Sequence, residues 1–157
     1  MNNHALKPLY IALLALSAPL AQAEDISQLF NDGKLILDAR YRYEHVDQDN
    51  TLDHANAQTL RTRVGFQTGK WYGLSGLIEA DNTSRIGDAS YNNTRNGQGN
   101  YSVVADPDGS EINQALLRYD FAQGNLVVGR QRINLDNQRF VGGVAWRQNE
   151  QTYDGLL

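Results

Sequence analysis

Hydrophobic and polar residues alternate most cleanly between Lys34 and Val46, KLILDARYRYEHV. Leu35, Leu37, Ala39, Tyr41 and Tyr43 share one parity, while Asp38, Arg40, Arg42 and Glu44 share the other. Successive strand side chains point to opposite faces, so this stretch predicts a strand with one apolar face and one fully charged face. The scheme recurs in three further segments. From about Ala57 to Thr68, Leu60, Thr62, Val64 and Phe66 oppose Thr59, Arg61, Arg63 and Gln67. From about Trp71 to Asn82, Leu74, Gly76, Ile78 and Ala80 oppose Ser75, Leu77, Glu79 and Asp81. From about Glu111 to Phe121, Ala115, Leu117, Tyr119 and Phe121 oppose Gln114, Leu116, Arg118 and Asp120. A fifth strand is expected over Asn125–Ile133, and Gln151–Leu157 reads as the opening of a sixth.

The connections alternate in length. Asp47–Ala55 is rich in turn formers, Gly69-Lys70 and Ala122-Gln123-Gly124 are short, and Thr83–Ser110 is a long polar stretch. Asn134–Asn149 breaks the two-residue period around Gly142-Gly143. Antiparallel strands joined alternately by short turns and long loops predict an up-and-down meander. Apolar residues on one face and charges on the other suit hydrocarbon outside and water inside, the pattern of a transmembrane β-barrel. Trp71 and Tyr72, beside a short turn, fit an interfacial aromatic girdle. In the fifth strand Arg130 and Arg132 share parity with Leu126 and Val128. Both arginines are expected on the polar side, reached through a bulge, because an Arg facing lipid near the midplane costs about 2–4 kcal/mol.

Composition narrows the picture further. The apolar run Pro8–Leu20, preceded by Lys7 and followed by Ala21-Gln22-Ala23, has the layout of a secretory signal peptide over residues 1–23. Glu24–Gly33 follows as a short lead-in with Ile26, Leu29 and Phe30 at helical spacing. Losing Lys7 leaves 13 basic against 18 acidic residues, an acidic balance that argues against nucleic acid as a partner. The chain has no cysteine, which excludes disulfide scaffolding and thiolate chemistry. His45 and His54 form a poor metal or catalytic pair. Asp106, Asp108 and Glu111 lack the spacing of an EF-hand loop, and a solvated turn is expected there instead of calcium. No residue cluster supports an enzyme, and no cofactor is expected.

The arginines are the chemical signal. Arg40, Arg42, Arg61, Arg63 and Arg118 fall on the polar parity with Asp38, Glu44, Glu79, Asp81 and Asp120. On a lumen wall such rings of charge select ions at close quarters. The alternative is a solvated sheet face with cross-strand ion pairs worth a few tenths of a kcal/mol each, as in a soluble periplasmic β-sandwich or carbohydrate-binding module. That alternative requires the Leu/Tyr faces to pack against a second sheet.

RYRYEHVDQDN, TLRTRVGFQTG, ALLRYDF, LVVGRQRINLDNQRFVGG and AWRQNEQTYDG resemble the N-terminal part of the alginate-export family of outer-membrane porins. The similarity covers about Lys34 to Leu157. It implies an antiparallel barrel in the bacterial outer membrane, with Arg40, Arg42, Arg61, Arg63, Arg118 and Arg130 facing the pore. Arg139 and Arg147 would belong to a segment folding towards the constriction. The implied partners are the lipid bilayer and its lipopolysaccharide, the outer-membrane assembly machinery, and an anionic saccharide such as a uronate polysaccharide, or a small organic anion. Five strands and a start fall short of the eight a barrel needs, so residues 34–157 are expected to be the first part of a longer barrel.

Overall fold

A computed structural model describes residues 23–87 and 90–157. The run Pro8–Leu20, and with it all of the expected signal peptide but Ala23, lies outside the described residues. The elements are α1 (Ala23–Asn31), β1 (Lys34–Val46), β2 (Ala55–Gln67), β3 (Leu74–Arg85), β4 (Gly109–Phe121), β5 (Gly124–Gln131) and β6 (Tyr153–Leu156). All six strands pair antiparallel with their sequence neighbours in one open sheet, in the order β1-β2-β3-β4-β5-β6. The all-β meander is therefore present.

The lead-in forms a helix that closes one end of the sheet. Phe30 stacks on Phe66 with ring centroids 6.4 Å apart. The Gly69 N–H donates to the Leu29 carbonyl at 2.8 Å, fastening the helix to the β2–β3 turn. That turn begins where the third strand was expected to begin. Trp71 and Leu74 exchange two backbone hydrogen bonds of 2.8 Å around Tyr72 (φ 48°) and Gly73 (φ 84°). Two successive residues at positive φ make the hairpin turn whose twist matches the flanking strands. The strand consequently starts at Leu74, not Trp71, and runs on to Arg85.

Register follows the alternation. β1 and β2 pair from Lys34↔Gln67 through Val46↔Ala55 without a break. Between β3 and β4 the pairing jumps from Glu79↔Gln114 to Ala80↔Ile112, so Asn113 is an extra residue. This bulge turns both Asn113 and Gln114 onto the polar face, where each is buried.

The sheet is inverted relative to a soluble one. Leu35, Leu37, Tyr41, Tyr43, Val64, Ile78, Leu117, Tyr119 and Val128 are all exposed. Apart from Ala55, Ala57 and Val127, the buried side chains of the strands are instead polar, among them Thr59, Arg61, Ser75, Glu79, Asp81, Thr83, Asn113 and Gln131. Two long connections, one described over 90–108 and the other over 132–152, fold across the polar face and cover much of it. The first carries Tyr91 and Val104 into a small apolar cluster with Ala55 and Ala57, flanked by Val46. Its backbone is stitched to β2 and the preceding loop by Asn56 N–H to Ser90 O (2.8 Å) and Ser102 N–H to Asp53 O (2.9 Å). The connection is polar and long as expected, but its described residues pack inward. Burial and the charge of Asp108 raise the Tyr91 phenol above its ordinary pKa.

Candidate functional site

The polar face carries two charge clusters. The first lies over the middle of β2 and β3. Arg63 grips Asp81 with both arms of its guanidinium, at 2.7 and 2.6 Å, and also meets Glu79 at 3.4 Å. The pairing Arg63↔Asp81 sets this bond, because directly opposed residues on one face bring their side chains together. Arg61 donates to Asp38 at 2.7 Å. Glu150, from the 132–152 connection, enters between the arginines, accepting from Arg61 at 3.2 Å, from Arg63 at 3.0 Å and from Arg132. Arg132 also reaches Glu79, which accepts a 2.9 Å bond from Asn113 of the bulge. Three guanidiniums thus face four carboxylates.

Burial of Glu150 works against its ionisation, but hydrogen bonds from Arg132 and Arg63, and their charges, outweigh that and lower its pKa from 4.5 to about 2.

The second cluster sits nearer the long connections. Arg40 lies opposite Arg61 in register, a like-charge pair that would be unfavourable if both side chains stood upright. They diverge. Arg40 donates to the backbone carbonyls of Ala145 (2.9 Å), Arg147 (3.4 Å) and Trp146, three successive residues of the covering segment. Arg42 also reaches the Trp146 carbonyl and pairs with Glu44. Arg147 meets Glu44 at 3.2 Å and Asp106 at 3.6 Å. The Trp146 ring lies 5.1 Å from the Arg42 guanidinium and 4.1 Å from that of Arg147, both cation–π distances. Three guanidiniums face two carboxylates here, the reverse of the first cluster's balance.

Gln148 fixes the covering segment between these clusters. It is fully buried, and its amide donates to Thr59 Oγ1 at 3.0 Å and to the Arg40 carbonyl at 3.1 Å. Its backbone N–H donates to Asp106 at 2.9 Å, tying the two long connections together. Asp106 is thus a buried acceptor within the fold. Asp108 accepts from the Arg85 N–H. Among the described residues no group of three or more His, Asp or Glu side chains is arranged to hold a metal.

Arg40, Arg42, Arg61, Arg63, Arg132, Arg147, Asp38, Glu44 and Glu79 therefore converge on one surface, covered except at Asp38, which is exposed. Four of the expected residues do not join it. Arg118 and Asp120 share the face but lie at the short-turn end, where they pair at 2.7 Å, with Lys70 at 2.6 Å from Asp120. Arg139 is exposed on the covering segment with Phe140 5.6 Å below it. Arg130 stands on the apolar face, in line with Leu126 and Val128, because β5 keeps its alternation up to Gln131. It is neutralised there by a two-armed bond to Asp154 of β6, at 2.9 Å on each arm. Beyond Gln131 the strand ends, which frees Arg132 to turn inward. Glu150 and Gln148 carry the interlock, although the segment they occupy has no periodicity from which to read their direction. Comparison with family models, with curated proteins and with solved structures found no match.

Proposed function

We propose that this chain forms part of a transmembrane β-barrel of a bacterial outer membrane that passes anionic solutes along its arginine-bearing face. The outward apolar band carries the proposal. Towards the long connections that band ends at Tyr43 on β1, Leu60 on β2, Ala80 on β3, Ile112 on β4 and Val128 on β5. The next outward residues on the last three are Asn82, Ser110 and Arg130. In register, Leu60 is opposite Ser84 and Ala115 is opposite Arg130, so the boundary drops as it crosses the sheet. The lower boundary drops too, from Leu35 and Phe66 to Leu74 and Phe121. The upper boundary drops by about ten residues over the four steps from β1 to β5 and the lower by about six over the three from β1 to β4, about 2–2.5 residues per strand. With ~3.3 Å per residue and ~4.8 Å between strands, this slope corresponds to a tilt of about 55–60°, of the kind a membrane barrel shows but steeper than the usual 35–45°. Strands of 12 or 13 residues tilted in that way rise about 20–25 Å, near the ~25 Å apolar band of outer-membrane barrels. Phe30, Tyr72 and Phe121 then mark one interface, while Tyr41 and Tyr43 mark the other, with their hydroxyls bonded to Gln58 and Asn56 at 2.9 Å.

Anion preference follows from the second cluster. The first is closed on itself with an acid in excess, whereas Arg40, Arg42 and Arg147 outnumber Glu44 and Asp106. A uronate saccharide or a small organic carboxylate suits such a surplus, provided that binding stays weak enough for release. Lipopolysaccharide and the outer-membrane assembly machinery are the partners such a barrel requires. The soluble-sandwich alternative needs a second sheet over the apolar face, and the described residues form a single sheet. Reconstitution of the full-length protein in a planar bilayer tests the function. Anion selectivity that weakens in Arg40→Gln/Arg42→Gln/Arg147→Gln is expected, and strong cation selectivity of the unmodified channel would overturn it.

A further inference from the structure

Beside the β3–β4 bulge lies a groove of about 370 Å³, lined by Thr62, Val64, Ala80, Asn82, Ser110 and Ile112 together with the acids Asp81 and Glu111. Its floor is set by sequence. Ala80 lies between the larger Val64 and Ile112 in register, and its small side chain leaves a trench between theirs. Its polarity is graded along the strands. The Val64–Ala80–Ile112 row is apolar, and one pair further towards the long connections comes Thr62–Asn82–Ser110. The two ends of the groove therefore differ in chemistry. The polar end is preorganised: the Asn82 amide donates to Ser110 Oγ at 2.8 Å, and the Ser84 hydroxyl donates to Asn82 Oδ1 at 2.7 Å. Arg130 is adjacent and donates to the Ile112 carbonyl at 3.2 Å, but Asp154 already satisfies its charge. With Asp81 and Glu111 in its lining and Arg130 already paired, the groove repels a phosphate and offers it no free cation.

We infer that this groove holds one acyl chain of a membrane lipid from the leaflet on the long-connection side, with uncharged head-group atoms at Asn82 and Ser110. The inference rests on the barrel reading, since the groove straddles the upper edge of the apolar band described above. It goes beyond that reading by selecting a single lipid site on a face that otherwise meets lipid without preference. A volume of this size is at the lower end of ligand pockets, which suits a chain segment better than a whole lipid.

Native mass spectrometry of the full-length protein, extracted from its membrane and exchanged into a lipid-stripping detergent, tests this. One lipid per chain should persist on the unmodified protein. Ala80→Phe fills the trench and should lower retention at least tenfold, while Asn82→Ala, which leaves the floor open, should lower it only severalfold. Gel mobility before and after heating verifies that each variant is folded. Equal retention by Ala80→Phe and the unmodified protein, or no retained lipid on either, overturns the groove site while leaving the barrel untouched. A second protein chain in place of lipid overturns it as well. Recovery of the full-length protein from the soluble fraction without detergent would instead sink the barrel reading itself.

Discussion

Glu150 is the most informative single side chain to change. Glu150→Gln keeps its size and removes its charge. Four donors then lose their ionic acceptor: Arg61, Arg63, Arg132 and Asn113. Three carboxylates, Asp38, Glu79 and Asp81, still face three guanidiniums, so no charge is left bare, and the cost is that of weakened charge-assisted hydrogen bonds. With hydrogen bonds to charged groups worth about 1.5–3 kcal/mol each and partial replacement by the amide, the loss should be about 2–3 kcal/mol. Titration gives a similar figure. A carboxyl lowered from 4.5 to about 2 contributes about 3 kcal/mol. Because the folded pKa is the lower one, that contribution is complete above pH 4.5, fades as pH falls, and is gone near pH 2. Amide hydrogen exchange reads it at Gln148, whose N–H is bonded to Asp106. After correction for intrinsic rates, protection of the covering segment should fall by about 30- to 150-fold between pH 4.5 and 2. In Glu150→Gln it should already be low at pH 7 and lose most of its slope. Protection and slope unchanged by the substitution would refute the interlock.

Other substitutions test other links. Leu37→Arg places a cation on the exposed apolar face and should destabilise the full-length protein in vesicles by about 2–4 kcal/mol, measured by denaturant titration. Gly129→Ala should cost about 1–3 kcal/mol in the same titration, because Gly129 has φ 121° and an added Cβ would run into the Ala115 carbonyl. Tyr91→Ala empties the centre of the small apolar cluster and should expose connection 86–108 to protease by a local loss of about 3–5 kcal/mol, leaving the strands intact.

The strands and their faces could be read from the sequence because they depend on a two-residue period that local sequence carries. Lys34–Val46 is a strand over those limits, and the arginines of β2 lie inward as their parity requires. Arg130 went against expectation for a non-local reason. Its parity placed it outward, and the lipid cost argued for turning it inward. Its charge is instead met by Asp154, a partner on β6 that is fixed only once β5 and β6 pair. The two inward-folded connections were equally hidden. A polar loop without periodicity does not announce that Tyr91 will find Ala55 and Ala57, or that Glu150 will bridge three arginines. One trace existed, namely two small residues on the polar parity at the start of β2, where larger side chains would leave no room.

Whether the exposed apolar face meets lipid is the central question, and site-directed depth quenching addresses it most directly. The chain has no cysteine, so single-cysteine variants of the full-length protein can be labelled cleanly at Leu37, Val64 and Leu117 on one face, and at Ser75 and Leu116 on the other. In reconstituted vesicles, fluorophores at the first three positions should be quenched by lipid-borne quenchers and ignore aqueous iodide, while those at the last two should ignore the lipid quencher. Outward positions that are shielded from lipid, in a protein that stays compact and soluble without detergent, would contradict the account.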